Sequence, residues 1–411
     1  MGKKQFKDPV YGYINIDNDI VANIIDTPAF QRLKDIRQTS YTPLFPSAYH
    51  NRFVHSLGVY HLGQIAFHSI KTQLVEYSMG TALEEKVDIL QQTFELACLL
   101  HDVGHAPFSH TGETFFLDKS QTLFTLLKES VDDADFANDF DALGAKKPAS
   151  HECMSCVVGI RRFASYFDTS LQKSFFSRCI IGMPFRTKMI PEPDLSLPEG
   201  PERSEKLRKI TELKSCNKAI ELCNCIINLL NSSIIDVDRL DYIIRDSATI
   251  GFKNAQVDYM RLLEGLRIVK DGKRLCIGYH KNAISVIESA VYAHDAEKKW
   301  VQGHPTILYE MEALKNAMST LTNIFSSPSD TNPLFCYEAL TEDGKELKIT
   351  KQLFSENARK LLEEQKLLTE EARLLLEQGD LFNCEANIDF TSGTVEQKYH
   401  VSLLADEDFC T

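Results

Sequence analysis

Apolar residues recur at three- and four-residue spacing along most of this chain, which is the period of an α-helix and argues for a mostly α fold. From Ile20 the pattern runs through Ile24, Phe30, Leu33 and Ile36, with a break at Thr27-Pro28. Residues 51–70 read as an amphipathic helix with His55, Val59, Leu62 and Ala66 on one face. Residues 83–101 read as another, with Leu90, Phe94, Ala97 and His101 along one stripe. That stripe is apolar until its last member, so His101 is expected to point inward, and Gly104 and Pro107 end the helix. Helical patterns return at 217–230, at 234–246 behind a capping-box-like Ser233-Ile-Ile-Asp236, and at 282–324. Residues 353–378, rich in Leu, Glu, Lys and Ala, read as a charged surface helix, solvated or in contact with another subunit.

The β signals are short. Residues 5–16 alternate apolar and polar around Asp8-Pro9 and Gly12, and residues 265–279 carry two apolar runs around Asp271-Gly272, a hairpin signature. Residues 186–206 hold prolines and many charges and are expected to form an exposed loop. The chain therefore reads as a core over residues 1–325 containing that loop, followed by a C-terminal α/β extension over 326–411 that is a candidate oligomer contact. The fold class is mostly α with small β hairpin accessories.

Composition limits the partners. The chain has 411 residues, 43% hydrophobic and 25% charged, enough to bury a large core without staples. A net charge of −13 disfavours extended nucleic-acid binding, although a locally basic cleft can still draw in an anion. No stretch approaches the roughly 20 apolar residues of a membrane helix. Met1-Gly2-Lys3-Lys4 leads into Phe6 and Asp8-Pro9, with no apolar secretory segment, so a reducing cytoplasm is expected. The 11 cysteines are then free thiols, and Cys153-Met-Ser-Cys156 and Cys223-Asn-Cys225 read as structural thiols before a zinc site.

Chemistry concentrates in three distant stretches. His55 lies in HNRFVHSLG, His101 and Asp102 are adjacent in LLHDVGH, and Asp238 lies in IIDVDRLDYIIRD. Two imidazoles and two carboxylates suit one divalent ion such as Fe, Mn, Co, Ni or Zn. Side chains at adjacent helix positions diverge by about 100°, so His101 and Asp102 reach one ion only if it lies off the helix end, where Gly104 lets the chain turn. Residues 101–110, HDVGHAPFSH, crowd histidines beside a buried helix end, where they must coordinate or hydrogen-bond something. From the pattern alone a metal site and a satisfied hydrogen-bond network both stay open.

The blocks DPVYGYINI, DTPAFQRLKDIRQ, HNRFVHSLGVYHLG, LLHDVGHAPFSH and IDVDRLDYIIRDS follow one another in this order. Together, over residues 3–310, they resemble the HD-domain dNTP triphosphohydrolases. The resemblance implies an HD-domain helical fold and hydrolysis of a dNTP to deoxynucleoside and triphosphate. It implies His55, His101, Asp102 and Asp238 as ligands of one divalent metal, with a further Mg on the triphosphate. His105 and His110 match residues at the phosphates that take part in the chemistry, or else residues that orient others. His151 and Glu152, in ASHEC, match a His-Glu pair linked to proton transfer, Glu152 alternatively only fixing His151. Arg52 and Arg239 match phosphate contacts, Tyr242 and Asp246 match residues at the deoxyribose, and Gln38 matches a glutamine near the sugar 3′-hydroxyl. A homodimer or homotetramer is the family expectation.

The chain also departs from the pattern. Activated members use a Lys-Val start and an Asp-Arg pair, whereas this chain has Gln5 and Lys34 at two of those positions while keeping Asp26. No sterile-alpha-motif domain is expected ahead of the core. The base-facing block does not carry over onto residues 294–306, although His294, Asp295 and His304 make that segment a candidate pocket wall. Two rival readings remain: the same site acting on another nucleotide or phosphoester, and a non-catalytic nucleotide-binding sensor.

Overall fold

The computed structural model describes residues 2–39, 44–106, 109–113, 121–191, 201–232, 235–252, 256–272, 274–309, 311–312, 315, 387–389 and 400–402. Two hairpins flank a helical body. Strands β1 (Lys3–Asp8) and β2 (Gly12–Asp17) pair antiparallel, from Lys3 opposite Asp17 to Asp8 opposite Gly12. Strands β3 (Leu266–Asp271) and β4 (Arg274–Tyr279) pair likewise, and Gly272 takes the positive φ of 59° that the tight turn requires. A third small pair, Asn387–Asp389 with His400–Ser402, belongs to the C-terminal extension, and the expected helix 353–378 lies outside the described residues.

The centre is helix α1 (Arg52–Ser78). Asn51 starts it, its side-chain oxygen accepting from Val54 N at 3.2 Å. The expected face, His55, Val59, Leu62 and Ala66, is buried. At the start of the helix burial goes further round: every residue from His55 to Tyr60 is buried, because α1 packs against helix α2 (Val87–Leu100), helix α5 (Pro201–Leu230), helix α6 (Val237–Ile250) and β3. A stretch covered on all sides needs apolar or small residues around its whole circumference, which hides the 3.6-residue stripe there, whereas further on Leu62, Ala66, Ile70 and Leu74 are buried and His68, Thr72 and Glu76 exposed. Helix α2 also carries the stripe read from the sequence, with Phe94, Ala97 and Leu90 buried against α1.

Helices α3 (Ser150–Arg162) and α4 (Ser170–Ile181) close the other side, and α4 ends at Gly182 with φ 63°. After α4 the chain doubles back along α5, held by asparagines seven residues apart. Asn231 Nδ2 donates to Ile180 O at 2.8 Å. Asn224 accepts from Phe185 N at 2.8 Å and donates to Phe185 O at 2.9 Å, and Asn217 does the same to Lys188 at 2.8 and 2.7 Å. The expected loop 186–206 is thus tied down at its start, and it ends early because Pro201 opens α5, the position where proline's missing N–H costs nothing.

Helix α6 begins at Val237, capped by Asp236, whose carboxylate accepts from Arg239 N at 2.8 Å. The cap is Asp236 itself, and Ser233 and Ile234 lie outside the described residues. Helix α7 (Ile284–Glu297) runs into a wide π turn over Lys298–Gln302. Among the described residues, no helix is long and apolar enough to cross a membrane.

Asn224→Ala removes two backbone partners at a half-buried site and should cost about 1–3 kcal/mol. Urea unfolding and faster amide exchange at Phe185 measure the effect.

Candidate metal centre and adjoining cavity

The lower half of the site is a set of four side chains from three helices. His55 comes from the first turn of α1, His101 and Asp102 from the end of α2, and Asp238 from the first turn of α6. His55 Nε2 lies 3.2 Å from His101 Nε2, 3.0 Å from Asp238 Oδ1 and 3.8 Å from Asp102 Oδ2. His101 Nε2 lies 3.5 Å from Asp238 Oδ1 and 3.6 Å from Asp102 Oδ2. Ligand bonds of about 2.1 Å set neighbouring donors about 3.0–3.4 Å apart, so this arrangement suits one divalent ion. The three residues of α1 and α2 are buried, while Asp238 is 40% exposed and forms the open side.

Backbone and buried charge fix which nitrogen each imidazole presents. His101 Nδ1 lies 2.9 Å from Cys98 O, one of the free carbonyls at the end of α2, so it carries the proton and Nε2 faces the other three. His55 Nδ1 lies 2.7 Å from Asp241 Oδ2. Asp241 is in turn gripped by Arg245, Nε to Oδ2 and Nη2 to Oδ1, each at 3.0 Å. Such a carboxylate behind a histidine orients the ring and raises its basicity toward a cation. The pocket for Asp241 exists because residue 58 is glycine: a Cβ there would overlap Asp241 Oδ1 and Arg245 Nη2. Burial alone lowers the His55 pKa, but the bonds to Asp238 and Asp241 carry it up to about 10. For Asp102, Arg52 and the two histidines outweigh burial and hold the carboxyl well below its usual range.

The turn after His101 is clamped from both sides. Arg32 donates to Val103 O at 3.2 Å and to His105 O, and Gly104 N donates to Ser155 Oγ at 3.0 Å. A Cβ at Gly104 would strike the backbone of Met154 and Ser155, so α3 approaches this turn only because of the glycine. Arg52, expected as a phosphate contact, is buried; its Nη1 donates to Asp102 and its Nε to Ser109 Oγ at 3.1 Å, and its Nη2 lies 3.4 Å from His110 Nε2.

Next to this set lies a second one. His110 Nδ1 is 2.6 Å, His151 Nδ1 2.9 Å and His105 Nε2 3.8 Å from Glu113 Oε1. The rings of His105 and His151 stack at 4.4 Å. Burial raises the Glu113 pKa, but His110 and His151 overcome it and hold the acid at about 2. For His151 the bond and charge of Glu113 outweigh burial and raise it, whereas burial and the neighbouring cations push His105 far down. Neither ring nitrogen of His105 finds a hydrogen-bond partner, although the residue is fully buried. The carboxylate at His151 is therefore Glu113; Glu152, expected beside it, accepts from Ala149 N at 2.9 Å and from Asn231 Nδ2 at 2.9 Å.

A cavity of about 430 Å³ is lined by Ser109, His110, Gln38, Thr39, Tyr242, Asp246 and Gln302 and by apolar Ile307, Leu308 and Met311. Gln38 Oε1 and Thr39 Oγ1 are buried without a hydrogen-bond partner. Asp246 Oδ1 lies 2.6 Å from His50 Nε2; burial pushes the carboxyl up to about 7 and the imidazole down to about 4. Around Asp246 the lining is therefore polar but weakly charged. Arg239 is not part of the lining and lies 3.6 Å from Asp236. His294 is 3.3 Å from Asp295, at the exposed side of α7, and His304 accepts from Thr306 N at 3.2 Å.

Residues 52–137 match the family described as HD domain. This stretch is an HD-type domain. The chain's similarity to characterised HD proteins is broad but distant. The chain is 28% identical over 276 residues to the deoxynucleoside triphosphate triphosphohydrolase SAMHD1 of Danio rerio, covering 66% of this chain and 38% of that protein. It is 30% identical over 278 residues to the Xenopus laevis protein of the same name, covering 66% and 38%. The chain thus spans about two fifths of the length of these relatives. A crystal structure of a hypothetical protein from Aquifex aeolicus shares the fold, with a TM-score of 0.54 and 20% identity over 92% of this chain and 81% of that one.

Sequence reasoning on this HD site missed Asp8, Arg32, Glu113, Asp241 and Arg245. The spacing of Asp238, Asp241 and Arg245 along one helix was the available signal for two of them. Gly58→Ala should expel Asp241 from His55 and weaken divalent-metal binding by about 10–100-fold, read by metal content after dialysis. A proton on His55 Nε2 competes with a cation for the same lone pair. The apparent metal affinity of the wild type should therefore fall as pH falls and rise toward pH 10. Calorimetry in buffers of different ionisation heat should count about one proton released per metal.

Proposed function

We propose that this HD-domain protein is a metal-dependent phosphohydrolase that cleaves deoxynucleoside triphosphates into deoxynucleoside and triphosphate. One observation carries the reading: a single cavity joins Ser109 and His110, beside the His55–His101–Asp102–Asp238 set, to Gln38, Tyr242 and the weakly charged Asp246. An anionic group fits beside Ser109 and His110 and an uncharged hydroxyl beside Asp246, with the apolar residues left for a flat ring. The relatives whose names state this activity support the choice of substrate.

His55, His101, Asp102 and Asp238 would hold one divalent ion, which when bound polarises a phosphate oxygen and makes water a stronger nucleophile. Arg52 behind Ser109 and His110 supplies fixed positive charge to the α-phosphate end. Water attacks the α-phosphorus and the bond to the C5′ oxygen breaks. His151 or His110, held by Glu113, donates the proton that this oxygen needs on leaving. His105, kept neutral by its surroundings, has free ring nitrogens for a phosphate oxygen or water. Asp246 and Gln38 hold a sugar hydroxyl, with Tyr242 against the ring.

Incubation of the purified protein with each dNTP and NTP in Mn or Mg should release intact triphosphate from dNTPs, and Asp238→Ala should abolish both bound metal and turnover. Release of orthophosphate or pyrophosphate would assign another phosphoester reaction to the site. Tight dNTP binding by metal-loaded protein without any product would leave only a binding role.

A further inference from the structure

Asp8 sits at the end of the N-terminal hairpin, far in sequence from every residue of the metal set, and its carboxylate is divided between two tasks. Oδ1 accepts from Val10 N at 2.8 Å and Tyr11 N at 3.0 Å, which shapes the hairpin turn. Oδ2 accepts from Arg245 Nη1 at 2.9 Å. The other two arms of Arg245 hold both oxygens of Asp241, and Asp241 holds His55 Nδ1 at 2.7 Å. The Tyr11 ring, from the same turn, lies 5.5 Å from the Arg245 guanidinium. All four members of this chain of charges are buried: Asp8 is 5%, Arg245 1%, Asp241 0% and His55 1% exposed.

We infer that the N-terminal hairpin is a positioning element of the metal centre, coupled to His55 through Asp8, Arg245 and Asp241. This rests on the reading of His55, His101, Asp102 and Asp238 as metal ligands. The physical reason is charge pairing of a buried cation. Each arm of the guanidinium has one acceptor, and the packing at Gly58 gives Asp241 no second place to go. Removing the Asp8 charge leaves a buried cation with a single counter-ion and one unpaired arm, a state relieved only by shifting Arg245 or admitting water. Either change moves Asp241, and with it the ring angle and basicity of His55. Docking of the hairpin and filling of the metal site therefore favour one another, and the coupling must act in both directions.

Asp8→Asn isolates the second task. Asparagine keeps an oxygen for the two turn amides and turns an amide N–H₂ toward Arg245. Mn²⁺ affinity, by competition with a chelating dye below the unfolding temperature, should drop at least about tenfold in this variant. Ile268→Ala, a core truncation in the β3–β4 hairpin, should lower stability yet bind Mn²⁺ within about twofold of wild type. In the unaltered protein, Mn²⁺ should slow amide exchange across Lys3–Asp17. Wild-type affinity in Asp8→Asn while Asp238→Ala binds none would overturn the coupling and leave the metal site standing. Equal losses in Asp8→Asn and Ile268→Ala, or hairpin exchange indifferent to Mn²⁺, would overturn it as well. Undiminished binding by Asp238→Ala would remove the metal site itself and this inference with it.

Discussion

A guanidinium with almost no access to water is the feature on which the rest of this molecule is arranged. Arg245 is enclosed by α1, α6 and the first hairpin, and a buried cation is tolerable only with its counter-charges in place. Asp241 and Asp8 provide them, and three consequences follow. Residue 58 must be glycine, the turn at Asp8 must lie against α6, and Asp241 must face α1 at the level of His55. Burying this group gains little stability by itself, but it fixes the register of a hairpin and two helices, and that register aims a histidine.

The two histidines of the HD set reach the same outcome by different means. His55 owes its orientation to a carboxylate from another helix, while His101 uses a carbonyl that the end of α2 leaves unpaired in any case. The second device is cheap and local, and it explains how a histidine on an apolar stripe can be buried without a distant partner. Asp102 is shared differently: its Oδ2 faces both histidines and also takes Arg52. One carboxylate therefore joins the metal set to Ser109 and His110 in the cavity lining.

How much of this was legible in the sequence depended on whether the information was local. The Asp271-Gly272 turn and the Asp8-Pro9 turn are written in adjacent residues, and both hairpins form where the turn chemistry put them. The stripe ending at His101 was readable because the first turns of α2 keep Asp88, Ile89 and Gln92 exposed opposite Leu90 and Phe94. The first turns of α1 were less informative because His55 to Tyr60 are buried all round. The strap over 184–188 was unreadable as structure, since its backbone partners are Asn217 and Asn224, 29 and 39 residues downstream. The carboxylate beside His151 was hidden for a related reason. The family resemblance pointed to Glu152, but a residue three places into a helix is well placed to cap it, and Glu152 turns to Ala149 N. Glu113 reaches His151 from another segment entirely.

The net charge of −13 and the handling of an anion are not in conflict. With a divalent ion in place, the charges of Asp102 and Asp238 would be balanced, and those of Asp241 and Asp8 face Arg245. Beside Ser109 and His110 stand Arg52, which also pairs with Asp102, and His151, whose pKa is raised by Glu113. Elsewhere in the lining, Asp246 lies 2.6 Å from His50, and burial favours the neutral form of both. The charged groups therefore gather near Ser109 and His110, in a low-dielectric setting where fixed charges act strongly. On the proposed reading, this asymmetry favours one direction of entry, with the phosphates rather than the sugar toward His55, His101, Asp102 and Asp238.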